Sequence, residues 1–201
     1  MKLYWCPQTR SLRGLWLMEE AGVPYQPVKI DIRNPAEHAD PQFRSASPMG
    51  KVPALEDGAV RIWDSGAISA YVADQYPQSR LAPPIGHADR GRYLMWLMYT
   101  NAVIEPAMVE KVTGATPQPS RNGWGSWAQM VETLRQGLER GPFILGDQFS
   151  AADVLLGMSC HFMRTFKMLA DEPVLFAYAD RCIARPAFQR AAAIESGSGP
   201  A

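Results

Sequence analysis

The stretch SPMGKVPALEDGAVRIWDSGAIS, residues 47–69, carries the reading that decides the fold. Two short β-prone runs, 52–55 and 60–63, flank Glu56-Asp57-Gly58, a hairpin turn signal. Asp64 and Ser65 then open a helix over 66–75, with Ser65 as its cap and Pro77 closing it. Val52-Pro53 ahead of a strand marks a rigid turn. If that peptide is cis, the Val52 N–H and C=O point outward, where an extended peptide ligand can pair with them. Lys51 is placed to meet a carboxylate. A turn rich in proline and glycine with a solvated lysine accounts for the same letters equally well. The start of the 66–75 helix offers free N–H groups to a carboxylate, and the Asp64 side chain offers a partner to an ammonium. Together they suit the amino-acid end of a ligand, while an ordinary N-cap also explains them.

Working outward, KLYW is a strand that Pro7 stops, and Leu12, Leu15, Trp16 and Leu17 fall at helical spacing behind Ser11, a candidate N-cap. Gly22 and Pro24 end that helix. Residues 25–32 form a second strand candidate, and the turn-rich segment 34–51 has room for one short helix. The order β-α-β-(α)-β-β-α predicts a small sheet of mixed direction with helices packed on it. After PQSRLAPPIG, residues 77–86, strand signals disappear. RGRYLMWLMYTNAVIEPAMVEK predicts a long helix kinked at Pro106. SWAQMVETLRQGLER is amphipathic, SAADVLLGMSCHFMRTFKM is a buried helix, and two shorter helices follow over 175–183 and 186–194. The end, ESGSGPA, is expected to be disordered.

Of the 201 residues, 47% are apolar and 20% charged, the balance of a globular protein. Twenty basic residues offset twenty acidic ones, which argues against a partner bound by phosphate neutralisation, so no nucleic acid is expected. Most of the basic residues are Arg, suited to small anionic ligands. No run approaches the ~20 apolar residues of a membrane span, and no signal peptide is evident. Cys6, Cys160 and Cys182 are widely spaced, which predicts no disulfide framework and a cytoplasmic setting. The three histidines are scattered and suggest no metal site. His161, in an apolar helix, reads as a core histidine.

WCPQTRS, residues 5–11, is where the thiol chemistry is to be sought. The helix start near residues 10–12 puts partial positive charge beside Thr9, Arg10 and Ser11, and such a place stabilises a thiolate, whether the protein's or a ligand's.

The chain resembles the cytosolic glutathione transferases of bacterial type over nearly its full length. LYWCPQTRSLRGLWLMEEAGVPY resembles their first strand, loop and helix; SPMGKVPAL their Pro-x-Gly-Lys-Val-Pro-x-Leu signature with its cis-proline, here Pro53; and DSGAISAYV their Glu/Asp-Ser-x-Ala-Ile motif. ILGDQFSAADVLLG is similar to the signature that caps their central buried helix, with Ser150 and Asp153 as capping box. The resemblance implies an α/β thioredoxin-like, glutathione-binding domain over 1–78, then an all-α domain over 87–195 that supplies an electrophile pocket. It implies a homodimer and a reaction in which glutathione thiolate attacks a small hydrophobic electrophile. It assigns Lys51 to the glycine carboxylate of glutathione, the Val52 backbone beside Pro53 to its cysteinyl residue, and Asp64 and Ser65 to its γ-glutamyl end.

In the family's cysteine-type members the reactive Cys stands at the first helix's start, which falls on Arg10 here. Cys6 lies earlier, at the strand end, and reads as a buried small hydrophobe. The available hydroxyls are Thr9 and Ser11. Thr9 is favoured as the group that donates to the glutathione sulfur, because Ser11 is needed as a cap; Gln8 is a third donor and Arg10 adds charge. Tyr4 is a weaker alternative. Two rival readings stand beside transfer: glutathione-dependent disulfide or peroxide reduction, which needs a reachable Cys6 or two glutathiones bound together, and a non-catalytic binding module. In the second domain Tyr99 and Trp124 are singled out for the electrophile pocket.

Overall fold

A computed structural model describes residues 1–198. Its contacts divide the chain into two units, Met1–Leu81 together with the segment from Ala184 onward, and Ala82–Ile183.

The first unit is built on a four-stranded sheet in the order β2-β1-β3-β4, from β1 (Lys2–Trp5), β2 (Gln26–Lys29), β3 (Ala54–Asp57) and β4 (Val60–Trp63). β1 and β2 are parallel, joined through α1 (Leu12–Ala21), while β3 and β4 form the antiparallel hairpin that Glu56-Asp57-Gly58 encodes. Leu3 pairs with Leu55, and the next pair, Tyr4 and Ala54, faces the other side of the sheet. The Leu3 face receives α1. A Cβ on Gly14 would stand 3.0 Å from Pro53 Cβ and 3.2 Å from Leu3 Cδ1, so glycine is what lets the helix lie this close. Tyr4 and Ala54 pack with Ile30, Phe43 and Ala46 on the opposite face. Where one short helix was expected there are two, α2 (Pro35–His38) and α3 (Pro41–Ala46), each started by a proline behind an acceptor cap, Asn34 and Asp40. α4 (Ser65–Gln75) follows the hairpin.

The second unit is helical. α5 (Arg90–Tyr99) passes through a π-helical turn, Thr100–Ile104, into α6 (Glu105–Thr113). Pro106 has no N–H to return to the preceding turn, and the ladder widens just ahead of it. α7 (Trp127–Gly137) starts from a capping box of Ser126 and Gln129. α8 (Ala151–Thr165) is buried on every face from Ala151 to Cys160 and is the core helix of the unit. Asp153 caps it, accepting the Ser150 N–H (2.9 Å) and hydroxyl (2.8 Å), the Ile144 N–H (2.8 Å) and the Tyr178 hydroxyl (2.8 Å). α9 (Pro173–Ile183) packs on α8.

The family resemblance places the last helix, α10 (Pro186–Ser196), in a helical domain running to residue 195. Its contacts are with α1, in the first unit. Phe188 meets the edge of Trp16 at 5.2 Å between ring centroids. The expected disorder of ESGSGPA is not found at Glu195 and Ser196, which are helical, or at Gly197 and Ser198, whose N–H groups bond back to the Ile194 and Ala193 carbonyls; residues 199–201 lie outside the described residues.

Candidate active site

The sheet register gathers three distant segments at one place. Tyr4 pairs with Ala54 and Ala54 with Trp63. The exit of β1, the entry of β3 and the exit of β4 therefore share one end of the sheet. The loop 6–11, the turn 51–53 and the start of α4 hang from that end.

The loop is sewn together by hydroxyls. Thr9 Oγ1 donates to the Cys6 carbonyl at 2.7 Å and lies 2.7 Å from Ser11 Oγ. Ser11 Oγ accepts the Cys6 N–H and can donate to the Cys6 carbonyl, both at 3.0 Å. Ser11 thus stands at the N-cap position of α1 without capping it through its side chain; it is buried and spends its hydroxyl on Cys6. The expectation that Ser11 caps the helix is corrected on this point. Thr9 is half-buried, and Arg10 is exposed on the same loop. The first N–H groups of α1 are bonded only locally, Ser11 to Thr9 Oγ1 at 3.2 Å and Leu12 to the Thr9 carbonyl at 3.4 Å, which leaves the positive end of the helix at this loop. Gln8 adopts a left-handed conformation (φ 59°), which the sequence did not announce.

Cys6 is fully buried. Arg33 Nη2 approaches its Sγ at 3.3 Å, and Asp31 Oδ1 lies at 3.8 Å. Tyr4 is turned to other work, since its hydroxyl donates to Glu56 at 2.8 Å in the interior, and burial and that carboxylate push its pKa up.

The turn 47–53 is held by Ser47, whose hydroxyl donates to the Lys51 carbonyl (2.8 Å) and accepts the Lys51 N–H (2.9 Å). Gly50 has φ 63°, and a Cβ there would meet the side-chain ends of Arg44 and His38, the latter 2.3 Å away at Nε2, so any other residue is strained here and must displace both. Lys51 is exposed, and its ammonium has no ion-pair partner among the described residues. The Val52–Pro53 peptide is cis. Val52 precedes the first ladder residue, Ala54, so its backbone lies outside the sheet pairing.

At the start of α4, Asp64 rather than Ser65 is the N-cap: its Oδ1 accepts the N–H groups of Gly66 (2.8 Å) and Ala67 (3.1 Å). Asp64 holds φ 85°, a conformation that costs a residue with a Cβ and that is retained where the neighbourhood demands it. Ser65 is buried beside it, at the positive end of the helix.

In the second unit a cavity of about 470 Å³ is lined by Pro106, Val109, Glu110, Thr113 and Trp124, among others. Tyr99, singled out with Trp124, is not one of its lining residues. It donates its hydroxyl to the Met130 carbonyl at 3.0 Å and packs on Trp96. His161 is half-buried on α8, and burial pushes its imidazole pKa down. Among the described residues no three His, Cys, Asp or Glu side chains are grouped as a metal site.

Comparison with known proteins agrees with this fold. Residues 1–74 match the family described as "Glutathione S-transferase, N-terminal domain", and residues 104–190 match "Glutathione S-transferase, C-terminal domain". The chain is 26% identical over 200 residues to glutathione S-transferase GstA of Escherichia coli O157:H7, covering 97% of this chain and 98% of that one. A solved glutathione transferase from Methylococcus capsulatus superposes with a TM-score of 0.81 at 29% identity, over 97% and 98% of the two chains. A sphingomonad glutathione S-transferase complexed with glutathione gives 0.75 at 29% identity, over 98% and 99%.

Proposed function

The chain belongs to the glutathione S-transferase family, and from that premise we propose that it activates glutathione at this sheet end for attack on a small hydrophobic electrophile. The observation that carries the proposal is the meeting, at one end of one sheet, of a hydroxyl-bearing helix start, an ion-pair-free lysine and a capped helix beside an acidic residue.

Lys51 meets the glycine carboxylate of glutathione. The Val52 backbone, outside the ladder and next to Pro53, pairs with the cysteinyl residue. Ser65 and the positive end of α4 take the γ-glutamyl carboxylate, and the Asp64 carboxylate takes its ammonium. The Thr9 hydroxyl donates to the sulfur, Ser11 takes over the bond to the Cys6 carbonyl, and Arg10 adds positive charge. The thiol, of ordinary pKa ~8.5, gives its proton to water, and the thiolate's electron pair forms the new S–C bond while the bond from that carbon to its leaving group breaks and the leaving group departs to water with the displaced pair. Burial of Cys6 supports leaving the reactive thiol to glutathione rather than to the protein, and so supports transfer over reduction. For the electrophile, the cavity beside Trp124 and Val109 is the candidate surface. The protein acts as a cytoplasmic homodimer; its cysteines are free, and Leu94, Met95 and Met98 expose apolar surface on α5.

Titration calorimetry with glutathione on the wild type and on Ser65→Ala tests the site. The expected result is binding in the micromolar-to-millimolar range, roughly −8 to −4 kcal/mol, weakened in the variant. A folded wild type that takes up no glutathione overturns the proposal.

A further inference from the structure

The loop that carries Thr9 is held from an element almost the whole chain away. The Gln8 N–H donates to Glu195 Oε1 at 3.0 Å, and Glu195 lies in the last turn of α10. Two local costs coincide at this contact. Gln8 is a residue with a Cβ held in the left-handed region. Glu195 is a carboxylate at the negative end of a helix, where the macrodipole disfavours it. Burial pushes its carboxyl pKa up, while the Gln8 N–H pulls the other way. Costs of this kind persist where a function demands the geometry.

α10 is built to hold that carboxylate still. It lies antiparallel along α1, and its entry and middle are pinned. Arg185 makes a two-pronged pair with Glu20 at 2.6 and 2.8 Å. Arg190 bonds the Glu19 carboxylate at 2.7 Å and its carbonyl at 3.0 Å. Phe188 seats against Trp16. Glu195 is the third polar tie, and of these ties the one that reaches past α1 to the loop. The Gln8 N–H belongs to the Pro7–Gln8 peptide; with that peptide tied and Gln8 held at φ 59°, the path of the chain into Thr9 is narrowed.

We propose that Glu195 is a positioning residue for thiol activation: by holding the Gln8 peptide it aims the Thr9 hydroxyl at the glutathione sulfur. The inference rests on the reading of Thr9 as the donor.

The test compares wild type, Glu195→Ala, Glu195→Gln and Thr9→Ala in the full-length protein. The readouts are the ultraviolet thiolate titration of bound glutathione, kcat, KM for glutathione and thermal stability. In Glu195→Ala the titration moves to higher pH and kcat at neutral pH falls about tenfold, the size of one hydrogen bond. KM stays within about twofold, because Lys51, Asp64 and Ser65 are untouched. Glu195→Gln keeps an acceptor oxygen in place and restores most of kcat. A purely structural contact would lower thermal stability and leave the thiolate titration where it was, and that result overturns the proposal, as does a folded Gln variant as impaired as Ala. If Thr9→Ala leaves the titration unmoved, the reading of Thr9 fails and takes this inference with it. If Thr9→Ala moves it and Glu195→Ala does not, the role of Glu195 alone fails. Glu195→Asp, one methylene short of Gln8, serves if the Ala variant does not fold, with a partial shift in the same direction expected and an unmoved titration overturning the proposal.

Discussion

Thr9 has one proton to give and two neighbours within 2.7 Å that can take it, the Cys6 carbonyl and the Ser11 hydroxyl. Ser11 can also donate to that carbonyl, so the pair holds a built-in exchange: when Thr9 turns its proton outward, Ser11 keeps the carbonyl satisfied. Removing the Thr9 hydroxyl should therefore cost the thiolate its donor without unravelling the loop. Thr9→Ala is expected to lower kcat/KM by about a hundredfold, the scale of one lost donor to a developing anion, and to shift the pH profile upward. Thr9→Ser should stay close to wild type. Cys6→Ala sets the control. With Cys6 buried, its activity should remain within about twofold of wild type. A folded but inactive Cys6→Ala would move the nucleophile onto the protein. Lys51 acts by charge alone, and Lys51→Ala should raise the calorimetric Kd for glutathione about tenfold with kcat little changed.

Among the elements, α8 shows what a capping box does when it is buried. Asp153 is almost wholly enclosed, and burial pushes its carboxyl pKa up, against the pull of four donors. Asp153→Ala would leave buried donors from Ser150, Ile144 and Tyr178 without their acceptor. A loss of about 3–5 kcal/mol is expected, read as a lower denaturation midpoint. This box was legible because SAAD before an apolar run is a local pattern, and so were the hairpin and the Gly22 stop of α1; the residues alone left the Val52–Pro53 peptide open, and only the family resemblance implied its cis state. What escaped the sequence shares one physical property. Asp64 and Ser65 both suit a cap, and Asp64 holds the position because its Oδ1 accepts the Gly66 and Ala67 N–H groups. Ser11 looked like a cap because its chain position allows one, but the tertiary fold spends its hydroxyl on Cys6. α10 carries an amphipathic pattern that does not say which surface it covers, and the contact from Glu195 to Gln8 joins residues no local window contains together.

For the whole molecule, the question is why one side of α5 is left apolar. Leu94, Met95 and Met98 are 39%, 52% and 44% exposed, and their spacing puts them on adjoining positions of the helix surface. The chain carries no net charge, so no long-range repulsion opposes association of two copies. A second copy is the occupant expected on this face. Light scattering should give a mass twice that of the 22.3 kDa chain for the wild type, and Met95→Glu with Met98→Glu should bring it to the single-chain value. All the residues assigned to glutathione, and the Glu195 tie, lie in the first unit of one chain. The monomeric variant should therefore still bind glutathione within about twofold of the wild-type affinity, because association is asked to bury an apolar face and not to complete the tripeptide site. A wild type that runs as a single chain removes the dimer and leaves the site argument standing. A monomeric variant that folds and loses glutathione would show instead that the partner copy completes the site, and the assignment of that site to one chain would fall.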